Sequence, residues 1–284
     1  MRNNNKHLKG LRNPADRLTE TVCRLICLFF LIIFLLPLGY VLLSSVHSHD
    51  VWGLDGYKLL LENKLVLSGL KNSILLALLG TAYSLLLEIP AAFVLSKKEY
   101  GWLTNLFFAL GQFGVALLPL YLLLKQMGLL NSLWGLILPS GLSVYYTQLL
   151  RARMIHLSHE LEDAAALDGC GPLGCLLRIL LPLIGPSVGV LAFFHICGYW
   201  GNTLLARTFL TDESKFPLTL VLDRVLIRNQ GTSVLGSAQT AESLAAVRMA
   251  EFGLCVLSAL PPILAFLFIK KHIRALETDG GVVM

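Results

Sequence analysis

Charged residues are scarce in this sequence: Asp, Glu, Lys and Arg make up 14% of its 284 residues, whereas 55% are hydrophobic. A soluble domain normally carries about 25% charged residues. The Gly-Lys dipeptide is absent, so the phosphate-binding loop GxxxxGK[ST] cannot occur. The six cysteines form no CxxC pair and no His/Cys cluster with the spacing of metal ligands. We therefore predict an integral membrane protein with no catalytic residues and no metal ligands.

Long apolar runs are abundant instead. About 20 apolar residues in a helix cross a hydrocarbon core of roughly 30 Å. A basic tail over 1–24 and a short tail over 275–284 flank a predicted transmembrane domain over 25–274, and both tails are expected in the cytoplasm. The sequence predicts an all-α membrane fold with six transmembrane helices, over 25–46, 70–96, 102–124, 129–150, 179–205 and 252–269.

The positions of the basic residues predict the orientation. If the amino terminus is inside, 14 of the 23 lysines and arginines fall in cytoplasmic segments, among them 1–24, 97–98, 151–178 and 270–274. Cytoplasmic loops are enriched in these residues. We therefore expect a multi-pass membrane protein, in contact with lipid, with both termini cytoplasmic. The net charge of +5 is small and is explained by orientation, so no nucleic-acid partner is expected.

The segment 158–186 differs from the rest because acids, alanines and glycines lie between two apolar runs. Ser158 is a plausible helix N-cap, and Glu162 and Asp163 lie in the first turns, where acids favour the helix dipole. Gly169 is suited to the left-handed residue that ends a helix, and Pro172 to the first position of the next one. These patterns predict two cytoplasmic helices joined at an angle. Composition alone equally allows an amphipathic helix lying at the headgroups.

The spacing in this segment resembles the EAA loop of permease subunits of ATP-binding-cassette (ABC) importers. That pattern is EAA, three residues, Gly, nine residues and Ile-x-Leu-Pro. Here Asp163-Ala164-Ala165 is followed after three residues by Gly169, and after nine more by Ile179-Leu180-Leu181-Pro182. Asp163 stands where the family has glutamate. The resemblance implies a cytoplasmic coupling helix between spans four and five. Its ATPase-coupling residues would be Glu162, Asp163, Ala164, Ala165, Asp168, Gly169, Ile179, Leu181 and Pro182.

Further segments are similar to the carbohydrate-importer branch, and within it to the maltose-type second permease subunit. They are Asn72-Ser73, the run over 129–139, Tyr199-Trp200-Gly201-Asn202 and Phe216-Pro217-Leu218-Thr219-Leu220. This resemblance implies half of a translocation path for a sugar, expected to be an oligosaccharide. It also implies a homologous second permease subunit, an ATPase dimer and an extracytoplasmic solute-binding protein as partners. The chain itself would be no enzyme and hold no cofactor, because the partner ATPase would bind ATP-Mg.

Polar and aromatic residues within the apolar runs are candidates for the substrate path. Glu88 is the only acid deep in such a run, and burying it is costly unless it faces the interior or a cavity. Gln112 and His195 are weaker cases of the same kind. Tyr199, Trp200 and Asn202 combine aromatic faces with hydrogen-bonding groups, as a sugar site needs. Hydrogen bonds between helices and anchoring at the membrane interface are alternative roles for these residues.

Alternative functions remain open from the sequence. An ABC importer permease could carry an amino acid, a peptide or phosphate instead of a sugar. A polytopic membrane enzyme would need a catalytic constellation near one face, and the zinc-hydrolase motif HExxH is absent. A membrane scaffold without transport would not need the coupling pattern.

Overall fold

The fold is that of a computed structural model, which describes residues 14–48, 51–114, 116–157, 167, 169–227, 235 and 241–279. Most of these residues are helical. The helices are α1 (Pro14–Ser44), α2 (Asp55–Glu62), α3 (Lys64–Ser96), α4 (Gly101–Gln112), α5 (Leu117–Gln126), α6 (Trp134–Ile137), α7 (Val144–His156), α8 (Pro172–Cys175), α9 (Leu181–Leu183), α10 (Gly185–Gly201), α11 (Thr203–Phe209), α12 (Leu218–Leu222) and α13 (Ala241–Asp279).

Short elements connect these helices. Strands β1 (His47–Ser48) and β2 (Val51–Trp52) pair antiparallel, with His47 opposite Trp52. Turns of 3-10 helix lie at Lys98–Tyr100, Leu138–Ser140 and Glu213–Lys215. Turns of π-helix lie at Leu176–Leu180, between α8 and α9, and at Asp223–Ile227, after α12.

By length and composition, three helices in the described residues can each cross a membrane: Glu20–Ser44, Lys64–Ser96 and Ser243–Lys270. Two bent pairs could each form one further span. In one pair, Lys98–Gln112 and Leu117–Gln126 meet at 102°. In the other, Pro172–Leu183 and Gly185–Gly201 meet at 81°.

The second and last predicted spans lie within longer helices, and the first nearly does. α3 begins at Lys64 instead of 70 because the Asn63 side chain caps it, accepting hydrogen bonds from the amides of Leu65 and Val66 at 2.9 and 3.2 Å. The predicted span over 252–269 lies inside α13, which is 39 residues long. α1 ends at Ser44, two residues before the predicted 46.

The other three predicted spans are interrupted. The run over 102–124 divides into α4 and α5 at a stretch that includes Gly114, and glycine is a poor helix former. The run over 129–150 does not form one helix: Pro139 and Gly141 lie at the interruption, and Ser143 caps α7, which extends to His156. The run over 179–205 is broken at Ile184, just before Gly185-Pro186, and again at Asn202.

Two clusters of buried side chains hold the helices together along α3. The cluster at its amino-terminal half, which we call the N-half core, includes Leu76, Tyr199, Phe209, Leu218 and Leu254. The cluster at its carboxyl-terminal half, the C-half core, comprises Ala92, Phe93, Leu150, Met154, Cys175, Leu176, Leu180, Ile184 and Leu191. α3 therefore connects both cores and is the central helix of the fold.

α1 lies at the periphery. None of its 18-residue apolar window is buried, and its contact with α13 includes an edge-to-face pair of Tyr40 and Phe252, whose ring centroids are 5.7 Å apart. A helix that is apolar and exposed all round suits contact with lipid.

Candidate functional site

A ladder of polar contacts joins α3 and α10. On α3, Gly80, Ser84 and Glu88 are spaced by four residues and share one face. Across from them, the Tyr199 hydroxyl lies 2.9 Å from the Ser84 hydroxyl. One turn along, His195 Nε2 lies 2.8 Å from Glu88 Oε2. Since rising numbers on α3 meet falling numbers on α10, the two helices run antiparallel.

Gly80 lets the helices approach at the Tyr199 end of this ladder. A Cβ at position 80 would lie 2.7 Å from three atoms of the Tyr199 ring. The Tyr199 hydroxyl also donates toward the Ile137 carbonyl at 3.3 Å. Small residues at helix contacts in membranes allow this kind of close packing.

Glu88 is the junction of three helices. Its side chain is fully buried, at 0% exposure, and its Oε1 accepts a hydrogen bond from the Ser143 amide at 2.9 Å. Ser143 caps α7, so the carboxyl group lies at the amino-terminal end of that helix, where the dipole favours an acid. Both carboxyl oxygens thus have partners, on α7 and on α10. Such pairing is what makes a buried acid tolerable inside a membrane protein.

Beside the ladder lies a cavity of about 210 Å³, which we call the tyrosine cavity. Tyr146 meets His195 edge to face, with centroids 4.8 Å apart, and lies nearly parallel to Phe194, at 16° and 6.1 Å. Aromatic rings, hydroxyls and one amide face this space, and no Asp, Glu, Lys or Arg of the described chain lines it. The lining residues are Ser140, Ser143, Tyr146, Phe194, His195, Gly198, Tyr199 and Asn202.

Four of the six residues singled out from sequence come together here. His195, Tyr199 and Asn202 line the tyrosine cavity, and Glu88 lies directly behind His195. Trp200 points elsewhere: it is 5% exposed, and its indole N–H donates to the Ser258 carbonyl of α13 at 2.9 Å. Gln112 is the exposed last residue of α4 and does not line this cavity. A part in transport stays a prediction for all six.

Sequence reasoning missed Ser84, Ser143 and Tyr146. Ser84 could have been predicted, since it precedes Glu88 by four residues and therefore shares its helix face. Ser143 also had one, as a serine after Pro139-Ser140-Gly141 that could cap a new helix. Tyr146 had none, because an aromatic ring in an apolar run looks the same whether it faces lipid or a cavity.

Residues 185–189 spell G-x-S-x-G, a pattern shared by many serine hydrolases. In those enzymes the serine stands on a sharp turn between a strand and a helix. Here Ser187 lies in the first turn of α10, and within the described residues no histidine hydrogen-bonds to it. It lines a second cavity of about 170 Å³, the arginine cavity, with Leu149, Arg153, Val190, Leu191 and Phe194.

Comparison with known proteins identifies the family, although no protein-family model matches the chain. The polygalacturonan/rhamnogalacturonan transport system permease protein YtcP of Bacillus subtilis (strain 168) is 26% identical over 282 residues, covering 94% of this chain and 99% of YtcP. The probable ABC transporter permease protein YurM of the same organism is 30% identical over 234 residues, covering 78% of this chain and 71% of YurM. The chain belongs to the ABC transporter permeases.

Solved structures agree on the fold of this permease. The crystal structure of a bacterial ABC transporter involved in the import of the acidic polysaccharide alginate superposes with a TM-score of 0.80 at 20% identity, covering 92% of this chain and 98% of that one. A bacterial alginate ABC transporter in complex with an alginate pentasaccharide-bound periplasmic protein gives a TM-score of 0.68 at 15% identity, covering 92% and 96%. The permease is therefore a helical, multi-pass membrane protein.

The start of the predicted coupling motif lies outside the described residues: Glu162, Asp163, Ala164, Ala165 and Asp168. Its end is described. Gly169 has φ +76°, the left-handed conformation predicted for it. Gly171 precedes α8, and Pro172 is its first residue, also as predicted.

The rest of the motif forms a short arm, Pro172–Leu183, that packs into the C-half core of the permease. Leu176 and Leu180 are buried there, and Ile179 and Leu181 are partly buried against the same cluster. Pro182, which is exposed, has no N–H to continue the α-helical ladder, and the turn before it is π-helical. The arm thus belongs to the same buried cluster as Ala92 and Phe93 of α3, four and five residues beyond Glu88.

At the other end of α3, three side chains hold the segment 210–218 of the permease. The Asn72 amide donates to the carbonyls of Ser214 and Phe216, at 2.8 and 3.1 Å, and Ser73 Oγ accepts from the Leu218 amide at 2.8 Å. Asn131 Oδ1 accepts from the amides of Thr211 and Asp212, at 2.8 and 2.9 Å. These contacts bring together segments that carry the sequence resemblance: Asn72-Ser73, the run that contains Asn131, and Phe216–Leu220.

Asp212 begins the 3-10 turn of this segment. Its Oδ1 accepts from both the hydroxyl and the amide of Ser214, at 2.7 and 3.0 Å, and these bonds, with Lys215 nearby, hold the pKa of the Asp212 carboxyl below its ordinary value. The segment is thus organised by side chains of its own and of α3 together.

Proposed function

We propose that this permease forms half of the translocation path of a sugar importer driven by ATP. The observation that carries the proposal is the alignment with YtcP, named for polygalacturonan/rhamnogalacturonan transport, over 94% of this chain. The fold of the alginate importer, matched over 92% of the chain, supports the same class of solute. The transported molecule would be an oligosaccharide.

The proposed assembly has four kinds of component besides membrane lipid. This permease pairs with a homologous second permease, two ATPase subunits bind on the cytoplasmic side, and an extracytoplasmic binding protein delivers the sugar. The alginate transporter crystallised with its sugar-loaded periplasmic protein supports the last of these. ATP-Mg would be held by the ATPase subunits. The membrane is a bacterial inner membrane, with both termini of this chain in the cytoplasm.

Coupling is proposed to run through residues 158–182. The helix containing Glu162 and Asp163 would sit in a cleft of one ATPase subunit, with Gly169 ending it and the Pro172–Leu183 arm behind it. Closure of the ATPase dimer would pull this segment and swing the spans from inward-facing to outward-facing. Burial of Leu176 and Leu180 in the C-half core supports a firm link from arm to helices α3 and α7.

The sugar would pass along the face of α7 and α10 that carries the tyrosine and arginine cavities. Hydroxyl and amide groups exchange hydrogen bonds with sugar hydroxyls, and aromatic rings pack on the apolar face of a sugar. Glu88 supports this face from behind, through His195 and the Ser143 amide.

Uptake in cells tests the class of solute. Cells with and without this gene would be offered labelled oligogalacturonides, alginate oligosaccharides, maltodextrins, amino acids, dipeptides and phosphate. We expect deletion to abolish uptake of at least one oligosaccharide and restoration of the gene to recover it. Loss of amino-acid, peptide or phosphate uptake with every saccharide unaffected would contradict the proposal.

A further inference from the structure

A third cavity lies between α3 and α4, near the turn that joins them, and we call it the lysine groove. Its volume is about 370 Å³, within the roughly 300–1,000 Å³ of pockets that hold a ligand. Every described residue that lines it is apolar: Pro90, Ala91, Val94, Leu95, Leu103 and Phe107. Such a lining suits a hydrocarbon chain and offers a sugar no side chain with which to exchange hydrogen bonds.

Two lysines lie at one end of this groove. Lys97 and Lys98 come two and three residues after Leu95, where α3 ends and the 3-10 turn begins. The Lys97 ammonium lies over the Phe93 ring, 4.6 Å from its centroid. Lys98 is exposed, and Glu99 is the acid of the same turn. The groove therefore has an apolar interior and a basic end.

The walls of the groove are held together at Leu95. Its carbonyl accepts hydrogen bonds from Arg151 Nε at 2.8 Å and from the Thr104 hydroxyl at 3.1 Å. Thr104 belongs to α4 and Arg151 to α7, so three helices meet at the end of α3. The Arg151 guanidinium also adds a third cation at the basic end, which makes the net charge there positive. The site is thus formed by the protein alone.

Exposed aromatic residues lie beside the basic end. Tyr100 is 42% exposed in the 3-10 turn, and Trp102 is 68% exposed at the start of α4. Tyr and Trp are enriched at the level of the lipid headgroups. Pro90 comes seven residues before Lys97, which is about 10 Å along a helix. The groove therefore extends from headgroup level into the hydrocarbon.

Charge decides which lipid suits this groove. Lipid tails are as apolar as a leucine side chain, so an acyl chain enters an apolar groove without selection among headgroups. Basic segments next to a membrane attract anionic lipids. A lipid phosphate at Lys97, Lys98 and Arg151 would gain opposite charge, whereas phosphatidylcholine would also bring a cation of its own.

We propose that the lysine groove binds one anionic phospholipid. One acyl chain lies between α3 and α4, against Ala91 and Phe107, and the phosphate lies at Lys97 and Lys98. The inference rests on the proposed function only for the side of the membrane, since it takes these lysines as cytoplasmic. The bound lipid would brace the end of α3 that carries Ala92 and Phe93, both members of the C-half core.

The first experiment removes the charge. The complete transporter, with its second permease and ATPase, is equilibrated in mixed micelles of phosphatidylglycerol and phosphatidylcholine in equal amounts, and bound lipid is counted by native mass spectrometry. We expect the wild type to retain phosphatidylglycerol in preference. Lys97→Ala/Lys98→Ala should lower that retention by about fivefold for each lysine removed. Lys270→Ala/Lys271→Ala is the control, because it removes the same charge from the predicted cytoplasmic side, and neither lysine lines the groove.

The second experiment fills the groove and leaves its charge unchanged. Ala91→Phe places a ring where the acyl chain would lie, so we expect it to lower retention of phosphatidylglycerol in the same assay. Ala82→Phe is the matched control, since Ala82 is an exposed residue of the same helix that does not line the groove. Should Ala91→Phe fail to assemble with the ATPase, Ala91→Leu takes its place.

Four results would overturn the proposal. They are equal retention of both lipids by the wild type, no effect of the Lys97/Lys98 substitutions, an equal loss in the Lys270/Lys271 control, and unchanged retention when position 91 is filled. Release of the second permease by Ala91→Phe, with the lysine variant unaffected, would instead show that the groove is a subunit contact.

Saccharide uptake, measured with the same preparations after reconstitution, separates this inference from the proposed function. A wild type that retains phosphatidylglycerol but takes up no saccharide would contradict the sugar importer and support the lipid site. A wild type that takes up a saccharide but shows no preference between the two lipids would do the reverse.

Discussion

Glu88 combines a high cost of burial with a full set of partners. A charged side chain at the centre of a membrane helix costs about 2.5–3.5 kcal/mol on insertion scales. Here one oxygen accepts from the Ser143 amide and the other shares a hydrogen with His195, at 2.9 and 2.8 Å. The acid thereby fixes where α7 begins and how the imidazole faces the cavity. Its role is to position these groups.

Replacing Glu88 should destabilise the permease in a graded way. Glu88→Ala leaves the Ser143 amide and the His195 ring without their acceptor, at about 1–3 kcal/mol for each buried unsatisfied group. Glu88→Gln keeps one acceptor oxygen and should lose less. Thermal unfolding in detergent should rank the wild type above Glu88→Gln, and Glu88→Gln above Glu88→Ala. Glu99→Ala, at an exposed acid, is the control and should change stability by no more than about 0.5 kcal/mol. Equal stability of all four proteins would refute this role.

At the scale of residues, the sequence predicts which side chains face the interior better than it predicts which side chains contact each other. Glu88 and His195 could be predicted to face inward, because ionisable groups in apolar runs avoid lipid. Their mutual contact could not, since 107 positions separate them and the register of α3 against α10 is needed. Trp200, which the sequence groups with Tyr199 as a candidate, hydrogen-bonds to α13 and does not line the cavity, because neighbouring residues of a helix differ by a turn of about 100°.

At the scale of elements, the close contact of α3 with α10 depends on Gly80. Gly80→Ala would place a methyl 2.7 Å from the buried Tyr199 ring, so the ring or the helix must move. Overpacking of this kind typically costs 1–3 kcal/mol. We expect a lower unfolding temperature for Gly80→Ala than for the control Gly39→Ala, where an added Cβ meets nothing within 4 Å. Indistinguishable unfolding of the two variants would show that the helices do not pack as described.

The segment just before the Pro172–Leu183 arm offers a second test of an element, through its glycines at 169 and 171. Gly169 has φ +76°, which side chains rarely adopt, whereas Gly171 has φ −69°, which suits any residue. Neither would meet an atom within 4 Å if given a Cβ. We predict that Gly169→Leu abolishes uptake and leaves membrane insertion intact, while Gly171→Leu retains most uptake. Unimpaired uptake by Gly169→Leu would sink the coupling hypothesis.

The apolar runs could be predicted from the sequence, but the breaks within them could not. Apolar composition predicts which runs can be in a membrane, and α1, α3 and α13 lie within or around predicted spans. It does not show where a helix bends, because the residues stay apolar through the break at Ile184 and the break before Leu117. Proline was an unreliable marker: α1, α3 and α13 continue through Pro37, Pro90 and Pro261-Pro262.

At the scale of the whole molecule, the C-half core links the Pro172–Leu183 arm to the helices beside the tyrosine cavity. Leu176 and Leu180 of the arm pack in the C-half core with Ala92 of α3 and Leu150 of α7. The same two helices carry Glu88 and Ser143, whose hydrogen bond borders the cavity. A pull on the arm would therefore shift α3 and α7 together, and with them the groups that line the tyrosine cavity. This link is how the permease would convert movement of an ATPase into movement of its path.

The most direct test of the central claim is ATP-dependent accumulation of a saccharide. Proteoliposomes would contain this permease, its second permease and the ATPase, with ATP-Mg on the ATPase side and the sugar-loaded binding protein on the other. We expect the labelled oligosaccharide identified by the uptake assay in cells to accumulate above its external concentration, and only when ATP and the binding protein are both present. Equilibration without ATP, or no saccharide uptake by the complete system, would contradict it.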